Sequence, residues 1–243
     1  MAKRKPVGKP DNKKPWEDDD AGLVDSNLQA DRAKSSGPSP AMRFWIPKGE
    51  ERRIIFLTEG NQAKRIWEHQ VRLNGDWRNW VSSLTWFGHK DDPLKDFSEE
   101  TGMFRRYNAY AFTIIDTQEF TDRSGQKRKN VKKLLLAKRD TAEILKRMYL
   151  KRLDADTGLR GAMFDVYRTN SDKSASVGEQ FEFVKMVDLS AFEDTDEFDL
   201  SEIFFPEPDR VKEIVSQLRR ENGIAESETE ESDEDVESST VDY

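Results

Sequence analysis

Arg105-Arg106-Tyr107-Asn108-Ala109-Tyr110-Ala111-Phe112-Thr113-Ile114-Ile115-Asp116 and Asn130-Val131-Lys132-Lys133-Leu134-Leu135-Leu136-Ala137-Lys138-Arg139 flank a polar loop. Together, Arg105–Arg139 reads as one long basic β-hairpin. The first arm is rich in aromatic and β-branched residues. Alternation puts Tyr110, Phe112 and Ile114 on one face and Tyr107, Ala109, Ala111, Thr113 and Ile115 on the other. The second arm ends in an apolar run suited to a buried strand. Between them, Thr121–Lys129 sets Arg123, Lys127, Arg128 and Lys129 against Asp122, with Ser124-Gly125 as the turn. A basic loop on an aromatic strand pair suits single-stranded nucleic acid, because cations hold the backbone while ring faces stack on bases of any identity. The same residues also describe an ordinary hairpin with a solvated tip.

Upstream, Phe44-Trp45-Ile46-Pro47 opens the structured part, and Trp45 is assigned to the core. Arg52–Leu57 and Ala63–Leu73 read as strands, and Asn74-Gly75 is a two-residue hairpin turn leading into a third strand, Asp76–Val81. Residues 82–104 show no sustained period and read as a long loop or small subdomain. Downstream, Asp140 is the expected N-cap of a helix over Thr141–Leu153. Leu159–Arg168 and Gln180–Val187 read as further strands. Pro208–Arg220 is one amphipathic helix with Val211, Ile214, Val215 and Leu218 on a single stripe. The expected class is mainly β with one or two helices, an OB-fold-like, partly open five-stranded barrel with disordered termini.

Composition divides the chain. Its 243 residues carry a net charge of −8, and 36% of them are charged. Residues 1–40 carry +1, residues 41–190 carry +6 and residues 191–243 carry −15. The expected organisation is a disordered basic or mixed arm (1–40), the OB-like core (41–190), an acidic linker with an amphipathic helix (191–220) and a disordered acidic tail (221–243). No cysteine is present, which excludes disulfides and thiolate metal sites, and the only histidines are His69 and His89. No apolar run approaches membrane-spanning length and no secretory signal is seen, so a cytoplasmic protein with no membrane partner is expected.

The order of pieces carries a resemblance. Phe44-Trp45-Ile46-Pro47, Trp67-Glu68-His69-Gln70 and Asn74-Gly75-Asp76-Trp77-Arg78-Asn79-Trp80 are followed by Ile114-Ile115-Asp116. Then come Gly161-Ala162-Met163-Phe164-Asp165-Val166-Tyr167-Arg168 and Lys173-Ser174-Ala175-Ser176-Val177-Gly178. Over residues 43–187 this resembles the single-stranded DNA-binding (helix-destabilising) proteins of tailed bacteriophages. The resemblance implies an OB-fold core that coats single-stranded DNA during replication, recombination and repair in the host cytoplasm. It also implies an acidic tail that docks polymerase, helicase/primase or nuclease partners and competes with DNA. Such proteins often bear a zinc subdomain with Cys and His ligands where this chain has Val81–Gly102. That segment offers Ser82, Ser83, His89, Asp91 and Asp92, so it reads as a metal-free loop.

The expected DNA-binding residues combine rings with adjacent cations: Arg65, Trp67, Trp77, Arg78, Trp80, Arg105, Arg106, Tyr107, Tyr110, Arg123, Lys127, Arg128, Lys132 and Lys133. Trp77, Trp80, Tyr107 and Tyr110 are the favoured stacking platforms. In the tail, Glu230, Glu231, Asp233, Glu234, Asp235, Asp242 and Tyr243 are the expected partner contacts. There is no Gly-rich phosphate loop, no nucleophile elbow and no metal motif, so neither an enzyme nor a cofactor is expected. The competing reading is a protein-interaction adaptor whose acidic tail mimics nucleic acid. An RNA-binding version of the first reading stays open, since stacking grooves tolerate either sugar.

Overall fold

The computed structural model describes residues 42–121, 125–155, 157–204 and 207–225. The expected N-terminal arm, Arg123 and the tail residues Glu230, Glu231, Asp233, Glu234, Asp235, Asp242 and Tyr243 lie outside the described residues. In chain order the strands are β1 (Glu51–Phe56), β2 (Lys64–Leu73), β3 (Asp76–Ser82), β4 (Tyr107–Asp116), β5 (Phe120–Thr121), β6 (Lys127–Arg128), β7 (Val131–Ala137), β8 (Ala162–Tyr167) and β9 (Gln180–Met186). The helices are α1 (Pro93–Thr101), α2 (Arg139–Leu153), α3 (Leu200–Ile203) and α4 (Pro208–Asn222).

The hairpin read from the sequence is the axis of the fold. β4 and β7 pair antiparallel from Tyr110↔Ala137 to Asp116↔Val131, with β5 and β6 forming a short two-stranded tip. Because β7 occupies one edge of β4, its other edge takes two strands in succession. β2 pairs with the first half (Glu68↔Tyr107 to Lys64↔Ala111) and β1 with the second (Phe56↔Ile114 to Ile54↔Asp116). β1 passes its far edge to β8, and β8 to β9. The result is a seven-stranded sheet in the order β3-β2-β4-β1-β8-β9, with β7 also on β4. The mainly β class is therefore as read from the sequence. Two more strands join the main sheet than the five expected, and the sheet is open.

Both faces of β4 are buried, as its alternation requires. Phe112 and Ile114 join Phe56, Phe164 and the α2 residues Leu145 and Tyr149 on one face. Phe56 meets Phe112 and Phe164 edge-on, at centroid distances of 5.7 and 5.6 Å. Ala109 and Ala111 join Ile66, Leu134 and Phe204 on the other face. The Asn74-Gly75 turn forms as expected, with both residues at positive φ (51° and 80°), the requirement of the two-residue turn that matches strand twist.

Two local expectations are resolved by the structure. Of the two readings of residues 82–104, long loop or small subdomain, the second fits: a 3-10 turn at Leu84–Phe87 is followed by α1. Asp92 caps α1 by accepting from Lys95 N (3.2 Å), Pro93 occupies the first turn and Gly102 closes it at φ 72°. Asp92 also accepts from Ser83 Oγ at 2.6 Å, which ties the residue before the 3-10 turn to the start of α1. Asp140 is not the N-cap of α2. The helix starts two residues earlier, at Arg139 with Lys138 as its cap residue, and Asp140 sits in the first turn, where its charge meets the positive helix end.

The stripe on α4 is docked rather than trailing. Val211, Ile214, Val215 and Leu218 pack with Val71 and Leu73 of β2 and Leu94 and Phe97 of α1. Arg219 pairs with Glu100, and Glu221 accepts from Asn74 N at 3.1 Å. Leu218 is fully buried, so Leu218→Ala removes contacts from a packed interior and costs about 2–5 kcal/mol. Urea unfolding of the full chain reads this directly. A loss below about 1 kcal/mol would mean that α4 is not part of the packed fold.

Candidate nucleic-acid interface

The segment before β1 positions the site. Phe44 N donates to Leu134 O (2.8 Å) and Leu134 N donates to Met42 O (2.9 Å), so Met42–Phe44 runs along the free edge of β7. Phe44 and Ile46 turn into the core. Alternation then sends Arg43 and Trp45 to the opposite side, where both line a cleft of about 440 Å³. Trp45 is 61% exposed, which corrects its assignment to the core. Across the cleft lie Trp80, 37% exposed, Gln70, Tyr107 and Lys138.

A buried carboxylate organises this wall. Glu68 accepts from Arg43 Nη1 and Nη2 at 2.8 and 2.7 Å, and it also accepts from the Tyr107 hydroxyl. The fork holds the Arg43 guanidinium 4.2 Å from the centre of the Trp80 ring. Burial, reinforced by Glu68, pushes the Tyr107 hydroxyl far above the usual tyrosine range. Lys138 Nζ stands 3.8 Å above the Tyr107 ring, and burial pushes its pKa down, with Glu68 opposing and Arg43 adding to the shift. Arg43 and Lys138 outnumber Glu68, so the cleft carries a net positive charge. Two partly exposed indoles beside cations supply what base stacking and phosphate contact require.

Of the expected residues, Trp80 and Tyr107 belong to this cleft. Tyr107 is no open platform, since its hydroxyl is spent on Glu68 and Lys138 covers its ring. Arg43, Trp45, Glu68 and Lys138 escaped the sequence reading. Trp67 lies on the opposite face of the β2–β3 hairpin, with Arg65 and Arg106 at 5.0 and 4.8 Å from its ring centre. Trp77, 51% exposed, faces that same side and meets Phe104 at 5.8 Å. Trp77 and Trp80 therefore do not share one surface. Tyr110 packs against the α2 side of the sheet. Arg78 lies in β3.

The hairpin cations are mostly engaged. Lys133 pairs with Asp116 at 2.7 Å, and Lys132 pairs with Asp194 at 2.5 Å and faces the Phe198 ring. Lys127 pairs with Glu119 at 3.0 Å, and Arg128 donates to Gln126 at 3.2 Å. Lys132 and Lys133 thus anchor the fold, binding its acidic 194–198 stretch and the end of β4.

Arg105 and Arg106 line a second cleft of about 360 Å³ with His69, Lys95, Ser98 and Glu99. His69 is fully buried and its Nδ1 lies 2.7 Å from Phe104 O. A carbonyl only accepts, so the ring proton sits on Nδ1, and Nε2 has no partner among the described residues. Burial pushes the His69 pKa down. A lowered folded-state pKa means that the unfolded chain takes up the proton first as pH falls. Stability is therefore full above about pH 6.5, the ordinary histidine value, and declines below it. His69→Asn keeps a donor for Phe104 O, and thermal unfolding between pH 7.5 and 5.5 should lose part of this decline. An unchanged pH slope in that variant would show that His69 does not titrate in unfolding.

A comparison of the chain with models of known protein families found no match, and a comparison with curated proteins found none either.

Proposed function

We propose that this chain is a non-catalytic single-stranded DNA-binding protein. It coats and protects DNA strands with little regard to sequence in replication, recombination and repair, in the cytoplasm of a phage-infected cell. The observation that carries this reading is the cleft in which Trp45 and Trp80 stand partly exposed beside Arg43 and Lys138. Every base has a π-face, so indole stacking gives affinity without selecting a base, and the cations meet the phosphates between bases. Residues 226–243 carry nine acidic residues and no basic one, and in this reading they recruit polymerase, helicase/primase or nuclease partners. No helix among the described residues is long and apolar enough to cross a membrane.

The test is a tryptophan-fluorescence titration of the full chain with oligo-dT at low and moderate salt. Quenching that saturates, and weakens as salt rises through counterion competition, is the expected result. Unchanged fluorescence with no retention on single-stranded DNA would overturn the reading.

One observation favours the adaptor reading as the alternative. β9 is an edge strand that exposes Phe183, Val184 and Met186, an apolar edge on which a protein strand can pair. If the chain fails to bind DNA, that edge is the first place to look for a partner.

A further inference from the structure

We propose that the cleft between α1 and the start of β4 is a phosphate subsite, built from Lys95, Arg105 and Arg106 over a floor of His69, that takes one phosphate group of a nucleic-acid strand. The inference deepens the single-stranded DNA reading and rests on it for the identity of the ligand.

Three cations and one carboxylate, Glu99, line this cleft of about 360 Å³. Lys95, half-buried, lies 3.7 Å from the exposed Glu99 along α1, a solvent-screened pair that holds the lysine charge only weakly. Arg106 donates to neutral oxygens, Thr85 Oγ1 at 3.3 Å and Ser83 Oγ at 3.5 Å, so no carboxylate meets its charge there. Arg105 is exposed and makes no ion pair among the described residues. A cleft with unmatched guanidinium charge attracts a tetrahedral anion, and guanidinium groups bind phosphate by paired donors. The buried Ser98 side chain adds a hydroxyl to the wall.

The floor supplies the second, independent sign. His69 Nε2 is a buried nitrogen with its lone pair unused, and buried polar atoms without partners are uncommon in folded proteins. Around the ring stand Glu68 on its own strand, Asp92 at the head of α1 and Arg106 at the start of β4, with Lys95, Glu99 and Arg105 lining the same cleft. An anion settling among the cations offsets their repulsion of the imidazolium, so binding and protonation of Nε2 favour each other. Phosphate affinity therefore rises as pH falls through the histidine range. Arg106 also faces the Trp67 ring at 4.8 Å, which places the subsite beside an indole on the face away from Trp45 and Trp80. A strand reaching both would wrap around the β2–β3 hairpin.

The experiment is long-range ¹H–¹⁵N NMR of the histidine rings in the full chain. With two histidines in the sequence, His89 serves as the internal control. One arm titrates inorganic phosphate, and the other titrates oligo-dT lacking terminal phosphates, so that free phosphate and backbone phosphodiester are told apart. The expected result is a saturable shift of His69 Nε2 toward the imidazolium position in both arms, with His89 unmoved. The double variant Arg105→Gln, Arg106→Gln should weaken that response about tenfold or more while the Nδ1 signal of the folded ring persists. A response to oligo-dT alone also supports the subsite, as a phosphodiester site. A response to inorganic phosphate in a chain that binds no oligo-dT keeps the subsite and overturns the DNA reading. An Nε2 signal fixed in both arms overturns the subsite, whatever tryptophan quenching shows.

Discussion

Replacing both Trp45 and Trp80 by alanine is expected to lower affinity for oligo-dT by about 2–6 kcal/mol, since each base–ring stack contributes about 1–3 kcal/mol. That is roughly 30-fold at the least. The fold should survive, because Trp45 is 61% exposed and Trp80 is 37% exposed, so little packed interior is lost. Labelled-oligonucleotide anisotropy is the suitable measurement, because the variant removes the fluorophores that quenching would use. Trp77→Ala is the control. That ring is 51% exposed but faces the other side of the hairpin, against Phe104. If Trp77→Ala weakens binding while the double variant does not, the strand does not run through the Trp45–Trp80 cleft.

Glu68→Ala is expected to be the most damaging single change in the cleft. Its side chain is 1% exposed and serves two donors, the Arg43 fork and the Tyr107 hydroxyl. Removing one partner of a buried pair costs about 3–5 kcal/mol, because the other charge is left uncompensated. Arg43 is 24% exposed and recovers some hydration, which points to the lower end, about 3 kcal/mol. For a chain of this size that is a fall in Tm of roughly 10 °C. Affinity for oligo-dT should fall as well, because a freed Arg43 no longer holds its place over Trp80. Glu68→Gln keeps one acceptor and should lie between. A loss below about 1 kcal/mol in Glu68→Ala would show that Arg43 and Tyr107 find other partners.

Much of the architecture is legible in the sequence. Arg105–Arg139 announces a hairpin through alternation on one arm and an apolar run on the other, and both are nearest-neighbour patterns. Asn74-Gly75 states its own turn, and the stripe Val211, Ile214, Val215, Leu218 states which side of α4 is buried. α1 was missed although its punctuation was present. Asp92-Pro93 and Gly102 mark a helix start and stop, but only Leu94, Phe97 and Ser98 are buried between them. Nine residues hold too few turns for an apolar period to stand out.

The candidate site was legible in kind and misplaced in detail. Phe44-Trp45-Ile46 alternates, so either the tryptophan or its two neighbours face the core, and local pattern is silent on which. Pairing of Met42–Phe44 with the edge of β7 decides it. Lys132 and Lys133 look like free cations in sequence, and their partner residues Asp194 and Asp116 are 62 and 17 positions away. Arg43 and Glu68, the heart of the cleft, are separated by 25 positions. The sequence by itself determined the mainly β class, the central hairpin, the turn, the docking stripe of α4 and the mixture of rings and cations, because period, turn chemistry and composition are local properties. Only the tertiary structure decided which indoles share a surface and which cations stay unpaired, because sheet order and ion pairing join residues whose distance along the chain carries no record of their contact.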